Sequence, residues 1–287
     1  MSRLAFVTDS TCNLPDELVQ RYNITVVPVY VIFGESSYKD YVEMPPAEFY
    51  RRLVEYKAAG KGMPTTSQPT PEDFRATYRR LVEQGATDII SIHVTAKSSG
   101  TCQSAQLAAE LIGDAKVHVV DSTTTSMQMG FMLFAALEAV AAGGGASEAL
   151  AAIEHVKAHS CLHFTVTDVE HLSASGRTEG HERVAEAAIS TKPIIAVTDG
   201  VPKALGAERT QRAALQKVLD FTSQRIGAGQ VKQLAIVNGN IPDKANEWAV
   251  EAARALNFTG QPFVVDFGPA LAVHFGPGLL GAAVEWA

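Results

Sequence analysis

Apolar runs rich in β-branched residues alternate with amphipathic stretches through the first half of the chain. Residues 4–8, 24–33, 89–94 and 117–120 have the composition of strands. Between them, 45–56, 71–83, 102–112 and 124–142 place apolar side chains at helical spacing. Thr70-Pro71-Glu72-Asp73 supplies a cap, a first-turn proline and acidic first-turn residues for one of these helices. A further helix is predicted over 146–158. Strands separated by helices predict a parallel sheet covered on both faces, whose ligands sit at the carboxyl ends of the strands.

The second half is more mixed. Strands are predicted at 162–166, 194–197, 205–208, 234–237 and 263–267, and helices at 182–190, 211–226 and 242–256. Thr198-Asp199-Gly200 reads as a turn between two strands, so part of this sheet is expected to be antiparallel. Residues 271–273 read as a short strand running into His274. The fold class is therefore α/β in two domains: residues 1–158 as a parallel-sheet α/β domain and 159–287 as a mixed-sheet α/β domain.

Composition agrees. At 287 residues the chain exceeds what one compact core usually fills, and 46% apolar with 19% charged residues marks a folded globular protein. A net charge of −7 argues against a nucleic-acid partner, because phosphate backbones require a basic face. An acidic residue at Asp9 comes too early for a signal peptide. The apolar segment 127–142 is interrupted by Glu138 and ends in Gly143-Gly144-Gly145, so no stable membrane insertion is expected. Cys12, Cys102 and Cys161 are odd in number and widely spaced, which suits neither a disulfide framework nor a zinc site. A cytoplasmic location is the expectation.

Three polar stretches carry the candidate chemistry: Thr65-Thr66-Ser67-Gln68-Pro69, Ser98-Ser99-Gly100-Thr101 and His274-Phe275-Gly276-Pro277-Gly278. Each lies where a strand-like run gives way to a turn or a turn opens a helix. Hydroxyls and free backbone N–H groups at such places hold anions. Taken singly, each also reads as an ordinary cap or turn. None of the three carries a Lys or Arg beyond the nearby Lys97, so their recurrence at sheet ends suggests one site, built to hold a carboxylate or phosphate by uncharged donors. The glycine spacing of a phosphate loop is missing. Asp9-Ser10-Thr11 and Asp121-Ser122-Thr123 are expected to bond nearby amides. Cys102, near a helix start, is a weak candidate thiolate, and Arg177, Arg209 and Arg212 a basic surface.

These stretches, in this order, resemble the DegV family of bacterial lipid-binding proteins over essentially the whole chain. The resemblance rests on Val7-Thr8-Asp9-Ser10-Thr11-Cys12-Asn13-Leu14-Pro15, Thr66-Ser67-Gln68-Pro69, Ser99-Gly100-Thr101-Cys102-Gln103-Ser104-Ala105, Val119-Val120-Asp121-Ser122, Lys192-Pro193-Ile194 with Asp199-Gly200, Arg209-Thr210 and the His274 stretch. It implies two α/β domains with a long-chain fatty acid, such as palmitate, between them. The carboxylate would be held at Thr66, Ser99, the Gly100 amide and His274. It also implies a carrier without a catalytic residue, metal or cofactor of its own, which presents the acid to an ATP-binding fatty acid kinase subunit for acyl phosphate formation. The chain departs from the family pattern at Ser175-Gly176-Arg177-Thr178 and at Arg209-Thr210-Gln211-Arg212, where Arg177 and Arg209 would face that partner. An enzyme using Ser99 as nucleophile and His274 as base, a hydrolase or phosphotransferase, is the alternative. A module that binds another small metabolite is a third.

Overall fold

The computed structural model describes residues 3–179 and 191–287; the helix expected at 182–190 lies outside these. β1 (Leu4–Asp9), β2 (Ile24–Val27), β6 (Asp88–His93) and β7 (Lys116–Asp121) form a four-stranded sheet in the order β2-β1-β6-β7. All its pairings are parallel. Such pairing needs crossovers, supplied on one side by α3 (Pro71–Glu83) and α4 (Thr101–Ala109). Thr70 caps α3 in a reciprocal box with Asp73.

The expected strand over 24–33 is instead two strands. Pro28, which has no N–H to continue a ladder, separates β2 from β3 (Tyr30–Phe33). The chain then leaves the parallel sheet and pairs β3 with β4 (Ser36–Lys39) and β5 (Thr65–Ser67) in a small antiparallel sheet. α2 (Pro46–Ala58) packs on it through Phe49, Tyr50 and Leu53.

The second sheet has six strands in the order β10-β9-β8-β13-β11-β12. They are β8 (Ser160–Thr165), β9 (Lys192–Thr198), β10 (Val201–Glu208), β11 (Val231–Asn238), β12 (Phe263–Asp266) and β13 (Leu280–Trp286). Only β11 with β12 is parallel among these pairings. β9 and β10 meet at a two-residue turn, Asp199 and Gly200, with φ of 49° and 80°. Positive φ at both central positions is the hairpin geometry that Asp-Gly favours. α8 (Gln211–Ile226) and α9 (Pro242–Ala255) cover the outer face of this sheet.

Between the two sheets lies α5 (Met127–Ala141), followed by α6 (Ala146–Ala158). Every residue from Met127 to Phe134 is buried, which a helix tolerates only when it is packed on all sides. Its core joins Phe6, Ile90 and Ile92 of the parallel sheet to Phe164, Ala235 and Ala283 of the mixed one. The apolar length of this segment therefore reflects burial between two sheets.

Two expectations change near the C-terminus. Residues 271–273 are not a strand but part of a helix, α10 (Gly268–Phe275). Eight consecutive buried residues show no amphipathic period, so strand and helix cannot be told apart by pattern there. Pro269 in the first turn then favours the helix. β13, at the interior of the six-stranded sheet, was not foreseen at all.

Candidate functional site

The three polar stretches meet at one cleft. Its walls are Thr66, Ser67 and Gln68 from β5 and the turn after it, Val94, Thr95 and Ser98 to Gly100 after β6, and Ala270, Leu271, His274 and Phe275 of α10. Thr11, Arg177, Val197 and Pro202 also line it. The cavity is about 240 Å³, far above the roughly 10–15 Å³ that admits one water on this measure. With its open mouth included, the atom-free space is about 920 Å³. Hydroxyls, Gln68, Arg177 and His274 supply its polar wall, and Val29, Val94, Val197, Leu271 and Phe275 its apolar wall.

Each polar side chain is placed by local structure. β5 pairs Thr66 with Val31. α4 starts at Thr101, and Ser99 Oγ accepts from the Thr101 N–H at 3.3 Å while sharing a 2.8 Å hydrogen bond with Thr101 Oγ1. A Cβ on Gly100 would stand 3.0 Å from the Gln68 amide nitrogen, so the bare backbone lets two polar stretches approach closely. α7 (Val169–Ser175) ends at Gly176 with φ 63°, and the chain turns there to send Arg177 into the cleft.

His274 joins these groups. Thr66 Oγ1 lies 2.9 Å from its Nε2, and Arg177 Nη1 lies 3.1 Å from its Nδ1. A guanidinium only donates, so Nδ1 must offer its lone pair and the ring proton sits on Nε2. Nε2–H then donates to Thr66 Oγ1, which leaves the Thr66 hydroxyl proton free to donate into the cleft. Burial, then the Arg177 and His171 charges, push the His274 pKa down to about 3, so the ring is neutral near pH 7. Arg177 also donates from Nε to the Ser98 carbonyl at 3.1 Å, fastening the stretch next to Ser99.

Arg177 corrects one expectation. The head of the site is not built of uncharged donors alone, because a half-buried guanidinium stands behind the histidine. Sequence gave little sign of this, since Arg177 and His274 are 97 positions apart. Arg209 is exposed between β10 and α8 and does not line the cleft; Arg212 is exposed as well. Thr11 and Val197 joined the cleft unforeseen. The signal for Thr11 was its place in the Asp9 turn after β1.

Other candidates lie elsewhere. Asp9 Oδ1 accepts from the Thr11 N–H, and Asp121 Oδ1 from those of Ala96 and Thr123, as the two Asp-Ser-Thr turns suggested. Asp9 Oδ2 also bonds His93 Nδ1 at 3.1 Å, and His93 Nε2 meets Ser91 Oγ at 2.7 Å. This Ser-His-Asp order has the connectivity of a hydrolase triad, yet all three residues are 0% exposed, so no substrate reaches it. It anchors Thr11 and Val94 at the cleft floor. Cys102 is buried with its thiol donating to the Val94 carbonyl, and burial raises its pKa strongly, so no thiolate forms there. Among the described residues no cluster of His, Cys, Asp or Glu could hold a metal ion, and no helix is long and apolar enough to cross a membrane.

Known proteins resemble this arrangement over its full length. A family model described as "Uncharacterised protein, DegV family" matches residues 3–286. A DegV domain-containing protein of Deinococcus radiodurans is 36% identical over 287 residues, covering 98% of both chains. One from Listeria innocua is 32% identical over 280 residues, 97% of both. A solved structure described as fatty acid binding of a DegV family protein from Thermus thermophilus is 30% identical, with a TM-score of 0.87 over 99% of this chain and 100% of that one. A stearic acid-binding protein from Eubacterium ventriosum is 26% identical, with a TM-score of 0.90 over 99% of this chain and 98% of that one. The chain belongs to the DegV family.

Proposed function

We propose that the cleft binds a long-chain fatty acid, with its carboxylate at Thr66, Ser99, the Gly100 amide and His274 and its tail along the apolar wall. The observation that carries this reading is the Arg177–His274–Thr66 relay, which frees a hydroxyl proton beside a cavity lined by both polar and apolar side chains. The fatty-acid-binding relatives with the same fold support the choice of ligand. Burying about fifteen methylenes at about 0.8 kcal/mol each gives roughly 12 kcal/mol of gross transfer energy. Association and ordering offset much of that, but the tail still supplies most of the affinity. The head group then needs orientation more than strength.

Orientation matters if the carboxylate is itself a reactant. In this reading the protein is a carrier whose two regions, 1–158 and 159–287, act as domains around the ligand. It presents the acid to an ATP-binding kinase subunit, near Arg177 and Arg209, for acyl phosphate formation. Hydroxyl and amide donors leave one carboxylate oxygen nucleophilic, while Arg177, acting through His274, steadies the charge. The hydrolase alternative needs a Ser99–His274 hydrogen bond. Ser99 instead pairs with Thr101, and His274 with Thr66.

Organic extraction of the purified protein followed by mass analysis tests the ligand class: a co-purified long-chain acid is expected. The Thr66→Ala/Ser99→Ala variant should bind such an acid at least about tenfold more weakly, as expected for lost hydrogen bonds to a charged group. Unchanged affinity in that variant would overturn the head-group assignment. Acyl ester hydrolysis by the protein alone would favour the enzyme.

A further inference from the structure

We propose that the carboxyl group of Asp40 is a proton-operated control on ligand release, acting through the seating of α10; this rests on the ligand-binding reading above. Asp40 follows β4 in the first half of the chain, and its Oδ1 accepts from the Ala270 N–H at 3.3 Å. Ala270 belongs to α10, and Ala270, Leu271, His274 and Phe275 of that helix all line the cleft. One carboxyl thus pins the cleft-lining helix to the small sheet and its loop.

That carboxyl is poorly provided for as an anion. Asp40 is 1% exposed, and its Oδ2 has no hydrogen-bond partner. The titratable groups around it are Asp9 at the end of β1, Cys12 and Asp16 along the same cavity, Tyr41 beside it and Tyr50 on α2; Asp266 bears on the same two tyrosines. All of these are acidic or neutral. Asn13 Oδ1, a second buried acceptor without a partner, lines the same cavity of about 170 Å³ as Asp40. A proton on Asp40 Oδ2 converts an unpartnered acceptor into a donor in a space that holds an unpartnered acceptor. The neutral carboxyl keeps Oδ1 for Ala270, so protonation costs no existing bond.

Burial, with a smaller push from Asp9, raises the Asp40 pKa to about 7, against the pull of Ser10 and the Ala270 and Tyr41 amides. The folded value exceeds the unfolded one of about 3.9, so the stabilisation is full below about pH 4 and is lost as pH rises through 7. Above that point a buried carboxylate with Oδ2 unpartnered sits at the joint between α10 and the small sheet. The Ala270 bond itself favours the anion, but the desolvation cost is relieved when the joint opens to water, and that opening frees the helix. His274 in the cleft and His171, which bonds the Val273 carbonyl of α10, are shifted in the opposite sense. Burial and the Arg177 charge hold His274 near 3, and burial lowers His171.

Stopped-flow release of a fluorescent long-chain fatty acid tests the proposal, near pH 6 and near pH 8, for the wild type and Asp40→Asn. The ionised fraction changes about tenfold across that window, so wild-type release should quicken severalfold while the variant stays flat. A flat wild-type rate, or an equal dependence in both proteins, overturns the control. If Asp40→Asn does not fold, Asn13→Leu removes the acceptor for the proton and should move the midpoint to lower pH; an unmoved midpoint overturns it. Absence of binding at both pH values sinks the ligand reading instead. The control is then read from the ligand-free melting temperatures. Because the buried histidines raise stability with pH in both proteins, the wild type should lose ground relative to Asp40→Asn from pH 6 to pH 8, and a difference between the two that does not change with pH overturns it.

Discussion

Thr95 Oγ1 donates to the carbonyl of Gly200 at 3.0 Å, tying the stretch that leads to Ser99 to the turn between β9 and β10. Gly200 has φ of +80°, and a Cβ there would fall 2.3 Å from that same Oγ1. Both the backbone conformation and the contact therefore require glycine. Gly200→Ala should cost about 1–3 kcal/mol in urea unfolding and weaken fatty-acid binding, because the Thr95 tie is displaced. Wild-type stability and affinity in that variant would show that the tie is not needed.

In the proposed binding mode Arg177 acts on the ligand through His274, so its loss should have a spectroscopic mark. In Arg177→Met the Nδ1 lone pair loses its donor, and the charge that helps hold the ring's pKa down is gone. Nitrogen chemical shifts of His274 should move from a single Nε2–H form to a mixture, and its pKa should rise from about 3. Ligand affinity should fall about tenfold or more, the scale of one hydrogen bond in a charged network. An unaltered His274 spectrum would place the arginine outside the relay.

Much of this arrangement was legible in the chain, for definite reasons. The parallel sheet announced itself because β1, β6 and β7 are strand-like apolar runs separated by amphipathic helices, one of which opens with the Thr70 cap. Thr66 and Ser99 were legible as sheet-end polar stretches; His274 was singled out after an expected strand that is instead the helix α10, and the cleft brings the three together. The relay was not legible. It depends on Gly176 turning Arg177 inward and on α10 holding His274 at its last turn, neither of which leaves a periodic trace. Pro28 was visible, yet the sheet that β3 would join instead depended on tertiary pairing.

Stability toward acid should be limited by buried neutral histidines. His163 donates from Nδ1 to Thr222 Oγ1, whose own proton goes to the Val218 carbonyl. Burial, and then the charge of Arg225, hold its pKa down at about 4. The unfolded chain takes up the proton near pH 6.5, so this contribution is full above that value and is lost as pH falls below it. Between pH 7 and pH 5 the loss should be about 2 kcal/mol for His163 alone. His163→Gln should remove that part of the slope in urea titrations at the two pH values. Parallel curves for wild type and variant would rule the histidine out.

The strand that the sequence pattern concealed also makes the sharpest packing prediction. β13 reads Leu-Gly-Ala-Ala-Val-Glu-Trp, with small residues where strands usually carry β-branched ones. The structure shows why. Ala283 faces the core that contains α5, and Ala282 and Val284 face the opposite core under α8 and α9. Gly281 is opposite Phe164 on β8, and a Cβ there would lie 2.3 Å from the His163 carbonyl and 2.5 Å from Phe164 Cα. Those are backbone atoms held by the ladder, so they cannot swing aside as a side chain would. Gly281→Ala should therefore destabilise by about 1–3 kcal/mol or more, although alanine suits strands better than glycine. Ala282→Gly, which leaves the approach to β8 open, should cost about 1 kcal/mol. Melting temperatures of the two variants check the order, and a Gly281→Ala protein as stable as wild type would mean that β13 and β8 do not approach this closely.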